Sequence, residues 1–278
     1  MFTSNAFAAA AQFLPAGFMQ WFVALMVLLV IVGTIFDVLH KRSAQYFFEN
    51  MRRRGRGARS VESGEAVSIA VRTAVVDVLA SGEFCNPKRR LAHLLTMYGF
   101  VLHMGTTAIM AFGYPTMAMP TPAILPQLWW LGGLMVCAGG YWFWFFIRVD
   151  VAAEGHSPFR IVRADLFILS LLASVTLGLA WAWLQAAASP AAAAFLGLYL
   201  LATFVLFGSV PWSKFAHMFF KPAAAFEKRV ARANGTAENL PTQTRDDPEQ
   251  RQRHSMELLR DAPMDMGLGI KRDAPRHY

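Results

Sequence analysis

The chain has 278 residues, 55% of them hydrophobic and 16% charged, with a net charge of +8 and a mean hydropathy of +0.36. Soluble globular chains run at about 45–50% apolar and about 25% charged; here the apolar residues gather in nearly uncharged blocks of about twenty, the length a helix needs to cross a bilayer. This excludes a disordered chain and an ordinary soluble enzyme, and two cysteines, Cys85 and Cys137, exclude a disulfide framework and an iron–sulfur cluster, which takes about four ligands.

Residues 1–17 carry no Lys or Arg. Lacking a basic n-region, they read as a periplasmic N-terminal segment rather than a cleaved signal peptide. A membrane domain is expected over 18–220, with spans at 18–39, 92–112, 128–147, 164–184 and 195–217. The cytoplasmic loop 40–91 holds a basic run, Met51–Arg59, and an amphipathic helix over Glu65–Leu79. In the third span Gly132, Gly133, Gly139 and Gly140 suit close helix approach. Ser170, Ser174, Gly178 and Ala182 form a small-residue seam along the fourth. Trp129, Trp130, Trp142, Trp181 and Trp183 fit interfacial belts. The tail 221–278 opens with a short helix ending near Gly235. It continues polar and Pro-punctuated, either disordered or an arm that orders on a soluble partner.

The cations set the orientation. The stretch from His40 to the second span holds 11 Lys and Arg, Arg148 to Arg163 holds 3, and Lys214 to the C-terminus holds 12, together every one of the 26 in the chain. Positive residues mark the cytoplasmic side. The fold class is therefore all-α: an integral bundle of five transmembrane helices in a bacterial inner membrane, N-terminus outside, with a polar C-terminal tail in the cytoplasm. Topology and anionic headgroups account for the net charge, so lipid is a partner and nucleic acid is not.

Ionisable groups inside spans are costly and usually functional. His93 begins the second span and His217 ends the fifth. These spans run antiparallel, so the two imidazoles share the cytoplasmic level. They read either as the axial pair of a b-type haem or as interfacial histidines bonded to headgroups and backbone. Lys88, Arg89, Arg90 and Lys214 crowd the same level, where haem propionates would need cations. His103 lies ten residues past His93, about 15 Å further along the helix. No other histidine reaches that depth: on the fifth span the position about five turns before His217 on its face is Tyr199, toward the outer side, and His103 and Tyr199 read as a candidate quinone or second-haem pocket. The alternative for His103 is a buried histidine satisfied by Ser, Thr or a carbonyl. Cys85, before Asn86-Pro87 and without a CxxC, reads as a structural thiol.

On these features the chain resembles a family. Five spans, two histidines ten apart in the second and one ending the fifth are similar to the cytochrome b subunits of the respiratory nitrate reductase gamma type. The entry CNPKRRLAHLLTMYGF and the ending PWSKFAHMFFKPAAAFEKRVARANG resemble the membrane anchors of adenylylsulfate (APS) reductase. The resemblance implies that His93 and His217 hold the cytoplasm-side haem b. The outer haem would pair His103 with a histidine at the position that Tyr199 occupies. It further implies cytoplasmic flavin and iron–sulfur subunits that oxidise sulfite with AMP, and quinone as the membrane substrate. Two other classes compete: a haem-free scaffold tethering a soluble enzyme, and a transporter. The latter is disfavoured because no span carries a membrane-buried acid or a broken-helix pair.

Overall fold

An apolar run surrounded by lipid has no partner for its backbone but itself, so it must coil into a helix. The computed structural model describes residues 2–15, 17–40, 49, 59–82, 84, 86–149, 157–213 and 217–236, and among the described residues the regular elements are all helical. They are α1 (Ala6–Ala10), α2 (Phe18–His40), α3 (Ser63–Arg72), α4 (Pro87–Gly113), α5 (Ile124–Trp142), α6 (Leu166–Ala186), α7 (Ala192–Gly208) and α8 (His217–Ala233). Two helices widen at their ends. α3 continues as a π-helix over Thr73–Leu79, and α5 over Phe143–Ile147. Lys214, Cys85, residues 51–58 of the basic run and the tail from 237 lie outside the described residues.

Among the described residues four helices are long and apolar enough to cross a membrane: Phe18–His40, Pro87–Gly113, Ile124–Ile147 and Leu166–Ala186. They mark the chain as a multi-pass membrane protein. The fifth expected span differs. α7 is an apolar helix of 17 residues that ends at Gly208, and the chain then makes a 3-10 turn over Val210–Trp212. Pro211 is the cause, since its ring blocks the preceding turn and it has no N–H to donate. His217 is thus the first residue of α8 rather than the last of a crossing.

The helix ends follow from local chemistry. At α4 the Asn86 Oδ1 accepts from the N–H groups of Lys88 (2.9 Å) and Arg89 (3.2 Å), and Pro87 occupies the first helical position, where its missing donor costs nothing. Before α6 the Asp165 carboxylate accepts from the Val162 N–H at 2.8 Å. Beyond α8, Gly235 takes a positive φ of 75° and stops the helix.

The chain divides into two compact units. The first comprises Met1–Asp37, Leu91–Trp142 and Val162–Phe215. Its helices meet where side chains are smallest. A Cβ on Gly139 would lie 2.5 Å from the Ala92 carbonyl oxygen, and one on Gly132 would lie 2.7 Å from the His103 nitrogen, so α4 and α5 touch backbone to backbone. Along the α6 seam the Ser174 hydroxyl bonds the Thr203 hydroxyl of α7 at 2.7 Å. A Cβ on Gly178 would lie 3.0 Å from the Tyr199 ring. Of the tryptophans expected in interfacial belts, Trp129 and Trp181 are 2% and 0% exposed and anchor the core, whereas Trp183 is 53% exposed.

The second unit comprises Val38–Arg90, Phe143–Ile161 and Ala216–Tyr278. In it, Arg229 of α8 donates two hydrogen bonds to the Asp77 carboxylate of α3, at 2.6 and 2.8 Å. Arg148, fully buried, donates to the carbonyls of Ser157 and Arg160 and lies 4.2 Å from the centre of the Trp144 ring.

Candidate functional site

His103 is a fully buried imidazole on α4. Gly132 and Gly133 let α5 come close enough to reach it: a Cβ on Gly133 would lie 3.1 Å from the His103 Nδ1. That nitrogen is 2.8 Å from the Trp129 carbonyl oxygen. A carbonyl only accepts, so Nδ1 carries the proton and Nε2 presents a bare lone pair. The Trp129 indole N–H donates to the Thr107 hydroxyl at 2.8 Å. Thr107 donates in turn to the His103 carbonyl at 2.8 Å. These three bonds form a closed ring between α4 and α5 that fixes the tautomer and the ring plane. Nε2 is buried and has no hydrogen-bond partner among the described residues, in a setting where an unsatisfied polar atom costs about 1–3 kcal/mol.

An aromatic chain runs on from that imidazole. The His103 and Trp129 rings stack at 4.5 Å. Phe7 meets Trp129 edge-on at 5.8 Å and Trp181 at 5.3 Å. Trp181 and Tyr199 stack with their planes 10° apart. The first unit therefore links His103 to Tyr199 through Trp129, Phe7 and Trp181. Tyr199 is confined there between Trp181 and Gly178.

Phe7 was not legible as a site residue. It reaches the cluster because Asn5 caps α1, accepting from the N–H groups of Phe7 (3.0 Å) and Ala8 (3.2 Å). The Asn5 side-chain amide then donates to the Tyr114 carbonyl and the Thr121 hydroxyl. The Gln185 side chain adds a bond to the Ala6 carbonyl at 3.2 Å. An Asn before an Ala-rich run was the signal, but the run is only five residues long.

The remaining expected residues are divided between the two units. His93 is half-buried on α4 in the first unit, and His217 opens α8 in the second. The His217 side chain lies outside the described residues, as does all of Lys214. Lys88 is exposed. Arg90 donates to the Ala80 carbonyl at 2.7 Å, and Arg89 sits over the Phe84 ring. Cys137 contacts the Thr176 hydroxyl at 3.6 Å and is a packing thiol. Among the described residues no three His, Cys, Asp or Glu gather as a metal cage.

A family model described as citrate utilization protein B matches residues 23–238. The chain belongs to the citrate utilization protein B family. The matched segment holds His93, His103, His217 and Tyr199 but not α1, so the Phe7 wedge lies outside it. No curated protein and no solved structure matches the chain.

His103 is the residue whose geometry tests for haem. Haem-ligating imidazoles bind through one nitrogen while the other donates to a carbonyl or carboxylate, and His103 has that form. Tyr199, packed against Trp181 and Gly178, does not fit as its opposite ligand.

Proposed function

We propose that the chain is the membrane-anchoring electron-transfer subunit of an oxidoreductase, linking a cytoplasmic flavin and iron–sulfur enzyme to quinone with the help of a b-type haem. The observation that carries the reading is His103: an oriented imidazole with a bare Nε2 inside a crossing helix that also bears His93. The Trp129 carbonyl satisfies Nδ1 but leaves Nε2 open to a ligand.

Each expected residue takes a role in this reading. His93 and His217 would hold the haem iron as neutral imidazoles, and Lys88, Arg89, Arg90 and Lys214 would pair with its propionates. Haem contributes reversible one-electron transfer when bound. His103, with Tyr199 in its cluster, accepts a hydrogen bond from the reduced quinone ring. The proposal includes five crossings in a bacterial inner membrane, with the N-terminus outside. Such placement puts every cation at the cytoplasmic face, where an acidic soluble partner would dock.

The resemblance to APS reductase anchors names that partner as an enzyme oxidising sulfite with AMP. The family match favours a second reading, in which the soluble enzyme belongs to citrate use. One experiment addresses both levels. The purified protein should show a b-type band in the reduced-minus-oxidised spectrum. His93→Ala and His217→Ala should each abolish it, while His156→Ala keeps it and His103→Leu keeps it but slows quinone reduction. In membranes, sulfite plus AMP should reduce the band under the first partner and citrate under the second. A haem-free protein that still recruits a soluble enzyme would establish the scaffold instead.

A further inference from the structure

α3 carries an apolar stripe on its open side. Val67, Val71, Val75 and Leu79 are 64%, 58%, 52% and 50% exposed, four successive turns of hydrocarbon facing outward. The opposite side is engaged within the second unit, where Thr73 is buried and Asp77 is bonded to Arg229. In a regular α-helix a four-residue repeat drifts by about 40° per step. The π-helical half of α3 has i→i+5 turns of more than four residues, so the drift reverses and the stripe stays straight. A hydrocarbon face of this kind marks an interaction surface.

Three features choose its occupant. α3 is tied at both ends to crossing helices, since α2 ends at His40 and α4 begins at Pro87. Only residues 80–86 separate it from α4, a reach of about 25 Å when fully extended. The loop 40–91 holds 11 Lys and Arg against 5 Asp and Glu, a charge complementary to anionic headgroups. The connection between α5 and α6 repeats the chemistry: Phe159 is 92% and Ile161 67% exposed, with Arg160 between them and Arg163 next after Val162, both exposed. A protein partner is less suited, because the stripe has no Trp, Tyr or Arg of the kind that anchors protein interfaces.

From these we infer that α3 lies in the plane of the membrane surface, with Val67, Val71, Val75 and Leu79 among the acyl chains and the basic loop against anionic lipid. The inference does not depend on haem.

The test uses the full chain in phosphatidylglycerol-containing vesicles, with Cys85→Ser and Cys137→Ala as background. Single nitroxide labels are placed by Val67→Cys, Val71→Cys, Val75→Cys and Leu79→Cys, and by Ser68→Cys and Arg72→Cys off the stripe. The four stripe labels should be severalfold more accessible to oxygen than to a water-soluble nickel chelate, and the two controls the reverse. In pure phosphatidylcholine the contrast should shrink; an unchanged contrast would overturn the anionic part. Stripe labels open to the chelate would show a free or water-facing helix. Labels shielded from both reagents would show a protein cover. Either result overturns the proposal. An unsubstituted protein labelled with a membrane-dissolved carbene reagent gives a second readout, with modification expected at 67–79 in the peptide map.

Discussion

Gly139 and Gly197 are both mid-helix glycines, and their surroundings give them opposite meanings. A Cβ at Gly139 would meet the Ala92 carbonyl oxygen at 2.5 Å and the Thr96 hydroxyl at 2.6 Å, while one at Gly197 would meet nothing within 4 Å. Gly139→Ala should therefore push α4 from α5 and cost about 1–3 kcal/mol. Gly197→Ala should gain about 0.5–1 kcal/mol by stiffening the unfolded chain and filling a helix position. Thermal unfolding in detergent should separate the two in sign. At Asp77 the hydrogen bonds from Arg229 hold the carboxyl below the ordinary value of 3.8. A depressed folded value means the pair stabilises fully above 3.8 and is lost as pH falls through the lower folded value. Amide exchange in Val75–Leu79, corrected for its intrinsic rate, should be flat from neutrality down to about pH 5 and accelerate below about 4. Asp77→Asn should raise the opening rate at neutral pH about tenfold, as expected for losing a charge-assisted bond of about 1.4 kcal/mol. None of this was legible one residue at a time. The sequence marks Gly139 as small and Asp77 as polar, but which carbonyl or guanidinium each faces depends on a partner 47 or 152 positions away.

At the scale of elements, periodicity and composition served well where a run was long. The first four spans fell within a few residues of their expected bounds, and the α3 and α8 helices were legible from their amphipathic pattern. The failures were short or proline-dependent. Hydropathy continued through Pro211 and so merged α7 with the first residue of α8, whereas the missing N–H and the ring clash end the helix at Gly208. Composition could not tell which tryptophans pack inward: Trp129 is buried, with its indole N–H on Thr107. α1 escaped notice because five residues cannot show a period. It nevertheless controls two buried indoles through Phe7. Asn5→Ala removes the cap, at a cost of about 1 kcal/mol, and also removes the bonds to Tyr114 and Thr121. Acrylamide should then quench a larger share of the tryptophan fluorescence than in the unaltered protein, with emission moving to longer wavelength.

For the molecule as a whole, the membrane character was the most legible property, because it rests on summed composition rather than on any one contact. The site was legible in part. Tyr199 entered as a candidate through the resemblance, while the sequence itself picked out His103 by its place inside a span. It could not supply the ring of bonds through Trp129 and Thr107 that orients the imidazole, since that ring needs α5 to arrive with two glycines at the right depth. The glycine contact between α4 and α5 also bears on how the chain is made. The two helices are neighbours in sequence, joined by a connection of ten residues from Tyr114 to Ala123, and their seam is built from their own backbones. They can therefore zip together as a hairpin at the moment of synthesis when the second of them enters the bilayer, before α6 or α7 has left the ribosome. On that order of assembly, His103 acquires its orientation early, and later helices close around an imidazole already set in place.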